Sequence, residues 1–235
     1  MLEAVLFDWG DTLMRWAWEP ELLDAGHAAG LRALGREPLP ELTARFRDGY
    51  LPLLQQPETL EEVDYAALVR RLLRESGIEL GDEELERFLE AEHAAWQPAR
   101  SLAATTHALL ESLRGRGLKT GLVSNAVDPP DLLHRDLQRF GVAERLDVAV
   151  FSSEVGWRKP HPAVFERALD RLGVEPASTL FVGDTLATDI AGASALGMYT
   201  CQALWFRADE DSDTPEPDFR AFTQMDVLTA VRRLQ

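Results

Sequence analysis

The chain has 235 residues, enough for one large domain or two modest ones, and its 46% hydrophobic content is ordinary for a globular protein. A net charge of −16 argues against nucleic acid or an anionic membrane surface as the main partner, since both require basic patches. The lone Cys201 excludes an internal disulfide and reads as a buried small hydrophobe in a reducing cytoplasm. Met1-Leu2-Glu3-Ala4 has no basic region, so no signal peptide is expected. No apolar run approaches the roughly 18 residues of a membrane span.

The first element is an apolar run, Val5-Leu6-Phe7, that reaches Asp8 and then turns sharply through Trp9-Gly10-Asp11-Thr12. It reads as a buried parallel strand that carries a carboxylate to the carboxyl edge of a sheet, where open α/β sheets bind ligands. From about Met14 to Pro98 no strand is expected. Breakers divide this stretch into helices at Leu22–Leu34, Pro40–Leu54, Leu60–Glu75 and Asp82–Trp96. Leu68, Leu72 and Leu73, like Leu85, Phe88 and Leu89, recur at helical spacing and give one apolar stripe per helix. Gly81-Asp82-Glu83-Glu84 is a helix start, with acids placed in the first turn.

From Leu102 onward short apolar strands alternate with amphipathic helices. Helices are expected at 102–115, 130–140, 161–172 and 187–196, and strands at 120–123, 148–151, 179–182 and 198–201. Such alternation predicts an α/β fold, a doubly wound parallel sheet of Rossmann-like type, completed by the distant first strand. The predicted division is a core of residues 1–14 and 99–235 with an inserted α-helical cap at 15–98. Residues 207–217, acidic and proline-containing, read as an exposed loop before a last helix near Gln224–Leu234.

The strand tips carry the chemistry. Asp8 ends the first strand, and Ser124-Asn125 ends the second. Lys159-Pro160 lies beyond the third, and Gly183-Asp184 ends the fourth, with Asp189 five residues on. In a parallel sheet these tips converge on one edge, so carboxylates, a hydroxyl and an ammonium would meet there. Only two lysines occur in the chain, Lys119 and Lys159, which makes the second one's placement informative.

With these motifs in this order, the sequence resembles the haloacid dehalogenase superfamily of hydrolases over nearly its whole length. Its motifs are an Asp-x-Asp-x-Thr strand tip, a Ser or Thr, a Lys before Pro, and a Gly-Asp with a second Asp downstream. The resemblance implies a Mg²⁺-dependent phosphatase acting on a small phosphorylated metabolite, in the cytoplasm and as a monomer or homodimer. Asp8 would be the nucleophile that forms an aspartyl-phosphate. Asp8, the Gly10 carbonyl and Asp184 would hold the metal, with Asp189 as ligand or support. Ser124, Asn125 and Lys159 would bind phosphate, and Thr12 would fix the first loop by hydrogen bonding.

The pattern departs from the family at one place. The second Asp of the first motif, the general acid and base, is Gly10 here, and an Asp appears one position later as Asp11. In an extended segment Asp8 and a residue three along face opposite sides, so Asp11 substitutes only if Gly10 reshapes the loop. Loss of the acid–base step lowers the rate by roughly 10²–10⁴-fold. Substrates with good leaving groups, such as acyl or aryl phosphates, would suffer least, by analogy with transport ATPases that carry Thr in that place. The alternative is a catalytically weak or silent member that binds a phosphorylated ligand or a protein partner. Two other branches fit worse. A 2-haloacid dehalogenase would lack the metal-binding Asp184, and a phosphonatase would need a cap lysine that residues 14–98 do not contain. Arg15, Arg45 and Arg47 are open either to a second anionic group or to solvent. Trp16, Trp18, Phe46, Tyr50, Tyr65, Phe88 and Trp96 divide between cap core and substrate. His27, His93, His107, His134 and His161 show no metal-ligand spacing and receive no role.

Overall fold

The computed structural model describes residues 1–52, 59–206 and 215–235. Its centre is a six-stranded parallel sheet of order β5-β4-β1-β6-β7-β8. The strands are β1 (Ala4–Phe7), β4 (Lys119–Ser124), β5 (Val148–Phe151), β6 (Thr179–Gly183), β7 (Tyr199–Ala203) and β8 (Phe219–Ala221). β1 is central, with Phe7 paired to Leu122 on one side and to Val182 on the other. The chain builds outward through β4 and β5 and then crosses back to β6 on β1's other flank. That reversal places a crevice at the carboxyl ends of β1, β4 and β6.

Alternation along each strand makes the two faces. Val5, Phe7, Leu122 and Val182 contribute to one apolar cluster, which also contains Cys201. Ala4, Leu6, Val123 and Phe181 contribute to the other. Burial pushes the Cys201 thiol up to about 12, so it serves as a small hydrophobe. The helices Thr106–Arg114, Pro130–Arg139, Pro162–Leu172 and Val227–Leu234 flank the sheet.

Between β1 and β4 lie the helices Glu21–Ala33, Pro40–Gly49, Tyr65–Glu75 and Asp82–Ala95, which pack around a third apolar cluster. The stripes read from the sequence are its interior, since Leu68, Leu72, Leu73, Leu85, Phe88 and Leu89 are all buried. The Gly81 amide donates to Glu84 Oε2 at 3.0 Å, as a helix start requires. Helix Glu21–Ala33 lies against helix Asp82–Ala95 because Gly30 has no side chain. A Cβ there would come within 2.5 Å of the Phe88 ring.

Several expectations are corrected. The stretch from Met14 to Pro98 is not strand-free: β2 (Met14–Trp16) pairs with β3 (Arg100–Leu102), which lies just beyond it, as an antiparallel ribbon where the chain leaves and rejoins the sheet. Three-residue strands are too short to show a period. The helix predicted from 102 begins at Thr106, because β3 occupies its start. The helix predicted from Leu60 begins at Tyr65, where Asp64 Oδ1 accepts from the Ala67 amide at 2.9 Å. The parallel strand β8 was not anticipated. Of the predicted helix Pro40–Leu54, its last two residues lie outside the described residues, as does most of the predicted acidic loop (207–214). Among the described residues no helix is long and apolar enough to cross a membrane.

Gly30→Ala gains up to about 1 kcal/mol of helix propensity but loses about 1–3 kcal/mol to overpacking against Phe88. Thermal melts should show a lower midpoint for Gly30→Ala and recovery in Gly30→Ala/Phe88→Leu. An unchanged midpoint in the single variant would contradict this packing.

Candidate active site

Register brings the site together. The Asp8 amide donates to the Val182 carbonyl at 2.9 Å, which places the Asp8 side chain just past the end of β1 and beside Gly183 of β6. Asp8, Asp184 and Asp189 are buried, and one carboxylate oxygen from each lies within 4.8 Å of the other two. Lys159 Nζ lies 2.6 Å from Asp8 Oδ1 and 2.6 Å from Asp189 Oδ1, and donates to the Val123 carbonyl at 3.0 Å. Asp189 Oδ2 accepts from the Thr185 amide at 3.1 Å. Gly183 is required in this arrangement, since a Cβ would collide with the Asp189 carboxylate.

Burial raises the Asp8 carboxyl to about 6; Lys159 opposes that rise and Asp189 adds to it. The Lys159 ammonium is held charged, because the two carboxylates outweigh its own burial. Three buried carboxylates therefore face one ammonium, and the donors are all oxygen. Such a set fits a hard divalent cation, which supplies the positive charge the cluster lacks.

Asn125 holds Lys159 in place. Its Oδ1 accepts from the Lys159 amide at 2.7 Å and its Nδ2 donates to the Lys159 carbonyl at 3.2 Å. The first loop is a tight turn in which the Trp9 carbonyl accepts from Leu13 at 3.1 Å and Met14 at 3.0 Å. Asp11 sits at φ 52°, and its Oδ1 accepts from the Trp16 amide at 3.2 Å. The Thr12 carbonyl accepts from Trp205 Nε1 at 2.8 Å and Gln224 Nε2 at 3.2 Å.

A cavity of about 300 Å³ adjoins these strand tips, with Trp9, Gly10, Ser124 and Asn125 in its lining. On its wall a buried charge network joins the helical insert to the sheet. His93 Nδ1 lies 2.7 Å from Asp128 Oδ1, and Arg100 Nη1 donates to Asp136 Oδ2 at 2.6 Å. His93 Nε2 lies 3.0 Å from Asp136 Oδ2 and 2.7 Å from Arg100 Nη1. When neutral it accepts from the guanidinium; when protonated it donates to Asp136. Burial alone would lower the His93 pKa, but the hydrogen bonds to Asp128 and Asp136 outweigh it and the net shift is upward. Burial would raise Asp136, yet His93 and Arg100 hold it below the usual carboxylate range.

Residues 2–197 match the family described as haloacid dehalogenase-like hydrolase. The chain belongs to that family. Among curated relatives, a phosphoserine phosphatase from Thermus thermophilus is 34% identical over 68% of this chain and 64% of its own length. A glyceraldehyde 3-phosphate phosphatase from Methanopyrus kandleri is 34% identical over 53% of this chain and 54% of its own. The chain thus spans between half and two thirds of these relatives' length. Among solved structures, a HAD phosphatase from Thermococcus onnurineus superposes with TM-score 0.67 at 25% identity over 98% of both chains. A 2-haloacid dehalogenase from Pseudomonas syringae pv. Tomato DC3000 does so with TM-score 0.70 at 25% identity over 100% of both.

In this family member the residues singled out from sequence lie at one sheet edge, with three differences of detail. Asn125's side chain is engaged with the Lys159 backbone rather than presented to phosphate. The Thr12 hydroxyl is buried without a hydrogen bond, and its carbonyl fixes the loop instead. Asp11 is committed to the Trp16 amide and is absent from the cavity wall. Arg15 is exposed, Arg47 pairs with Asp24 at 3.2 Å, and Arg45 lines a separate surface hollow. The sequence reading missed His93, Arg100, Asp128, Asp136 and Arg158. Asp128, four residues past Ser124, was within reach of a strand-tip argument. His93 and Asp136 sit on different helices, and only tertiary packing pairs them.

The His93 network has a defined pH window. Folded His93 holds its proton more tightly than the unfolded residue, so its contribution is complete below about pH 6.5 and fades as pH rises through the folded value. Asp136 acts oppositely, losing its contribution as pH falls through its depressed folded value. The midpoint difference between the native chain and His93→Gln should therefore be largest near about pH 5–6 and shrink towards pH 9. A difference constant with pH would contradict the network.

Proposed function

We propose that this protein is a Mg²⁺-dependent hydrolase of small phosphorylated metabolites that works through an aspartyl-phosphate. The observation that carries the reading is the buried set of Asp8, Asp184 and Asp189 with the Lys159 ammonium, at the sheet edge where the family's motifs fall. The names of the relatives, phosphatases of phosphoserine and of glyceraldehyde 3-phosphate, support a phosphate ester as substrate. Asp8, Asp184 and the Gly10 carbonyl would hold Mg²⁺, which supplies charge to offset repulsion between phosphate and carboxylate. Asp189, with one oxygen on Lys159 and the other on the Thr185 amide, supports from behind.

The Asp8 carboxylate attacks phosphorus in line, and the bond to the leaving oxygen breaks. Ser124 and Lys159 hold the transferring phosphoryl oxygens. Water then attacks the acyl phosphate and frees Asp8. Among the described residues neither step has a positioned proton carrier: the family's acid–base position is Gly10, and Asp11 is bound to the Trp16 amide. The leaving oxygen must depart without protonation, so the rate of phosphoryl transfer to Asp8 follows leaving-group quality. Water must attack without a base, so the acyl phosphate accumulates.

The likeness to a 2-haloacid dehalogenase has one feature in its favour, since halide also departs without an acid. Against it stands a second buried carboxylate, Asp184, which that chemistry does not use. The experiment compares aryl phosphates of graded leaving-group pKa with alkyl phosphates, with Mg²⁺ and after chelation, with a 2-chloropropionate control. Turnover should need Mg²⁺ and vanish in Asp8→Asn, and kcat/KM, which reports phosphoryl transfer, should fall steeply as leaving-group pKa rises. Equal kcat/KM on alkyl and aryl esters would overturn the missing-acid step. Activity surviving in Asp8→Asn would overturn the nucleophile. No turnover in either protein would favour a silent phosphate-binding relative.

A further inference from the structure

The cavity beside Asp8 is unusually aromatic. Four of the chain's six tryptophans, Trp9, Trp16, Trp18 and Trp96, line it together with Tyr65. Trp96 Nε1 donates to the Leu22 carbonyl at 2.8 Å, so that indole's one donor is already used and its rings are left as apolar surface. Arg100 lies over the Trp16 ring at 4.8 Å, which places a cation on an aromatic face within the same wall. Trp18 is 36% exposed at the mouth, although a large aromatic gains little from standing in water.

The cavity's cations are already neutralised. Among the described residues two arginines line it. Arg100 is paired with Asp136 at 2.6 Å and lies 4.0 Å from Asp128; Arg158 is paired with Glu62 at 3.6 Å. The two carboxylates on the wall, Asp128 and Asp136, are in turn met by His93 and Arg100. A second anionic group on the substrate, a carboxylate or another phosphate, would be desolvated there without a cation of its own. Phosphoserine, by contrast, carries a charged head beside its phosphate.

We propose that this cavity selects an uncharged aromatic leaving group, so that the substrate is an aryl-bearing phosphate monoester stacked among the tryptophans. The inference rests on the phosphate-ester reading of Asp8 but on different residues. It also converges with the chemistry at Gly10, because an aryloxide departs without an acid. Trp18 is the specificity residue most open to test, since its partial exposure leaves the fold intact when it is shortened.

The test measures KM and kcat for 1-naphthyl phosphate, acetyl phosphate and phosphoglycolate. Acetyl phosphate controls for leaving-group quality without an aromatic ring. KM for 1-naphthyl phosphate should be at least about tenfold below that for either other substrate, the ratio expected from stacking and apolar burial together. Trp18→Ala should shrink the naphthyl preference over acetyl phosphate by about fivefold. A preference for phosphoglycolate would overturn the inference and leave the hydrolase reading standing. If no ester is turned over, tryptophan quenching by 1-naphthylmethylphosphonate decides. Saturable quenching weakened in Trp18→Ala supports the aromatic cavity while the hydrolase reading fails, and no quenching overturns both.

Discussion

The Lys159 ammonium is the tie on which the site depends. Buried at 3% exposure, it meets Asp8 from the end of β1, Asp189 from beyond β6, and the Val123 carbonyl of β4. Three segments of the sheet edge are thereby joined by one group. Removing one partner of such a buried pair leaves a charge uncompensated, at a cost of about 3–5 kcal/mol. The geometry is held from behind by Asn125, whose amide grips the Lys159 backbone on both sides, and by Gly183, whose missing side chain admits Asp189. Charge counting makes this tie fit a cation: one ammonium does not balance three buried carboxylates.

A second set of contacts determines what can reach that crevice. The insert meets the sheet at the β2–β3 ribbon and at the His93–Arg100–Asp128–Asp136 network. It is also joined by backbone bonds from Glu62 to the Gly156 carbonyl and from Arg158 to the Leu60 carbonyl, at 2.9 and 2.8 Å. The backbone bonds bring Arg158 to Glu62, and the network holds Arg100 on Asp136. The same contacts that seat the insert therefore consume the cavity's positive charge. Docking and specificity are linked through the same arginines, and what remains on the wall for a substrate is largely tryptophan.

Much of this was legible in the sequence, for physical reasons that differ by element. Buried parallel strands are continuous apolar runs, so β1, β4, β5 and β6 could be read within a residue or two, and with them the convergence of Asp8, Ser124, Lys159 and Asp184. The stripe of Leu68, Leu72 and Leu73 likewise foretold the insert's interior. The ribbon was not legible, because Met14–Trp16 and Arg100–Leu102 are too short to carry a period and become strands only by pairing with each other. Side-chain direction was not legible either. Asn125 and Asp11 look like site groups on a linear map, yet the Asn125 amide is taken up by the Lys159 backbone and Asp11 Oδ1 by the Trp16 amide. The charge network depends on pairs 35 and 43 residues apart, which no local pattern encodes.

If Asp8 carries the phosphoryl group and no base is positioned for water, the acyl phosphate outlives its formation. Acid quenching during steady-state turnover of 1-naphthyl phosphate, followed by peptide mapping, tests this directly. The account predicts a phosphoryl group on the peptide that contains Asp8, at a substantial fraction of the enzyme present, and none in Asp8→Asn. Turnover with no phosphorylated peptide at any quench time, or a phosphoryl group on another residue, would contradict it.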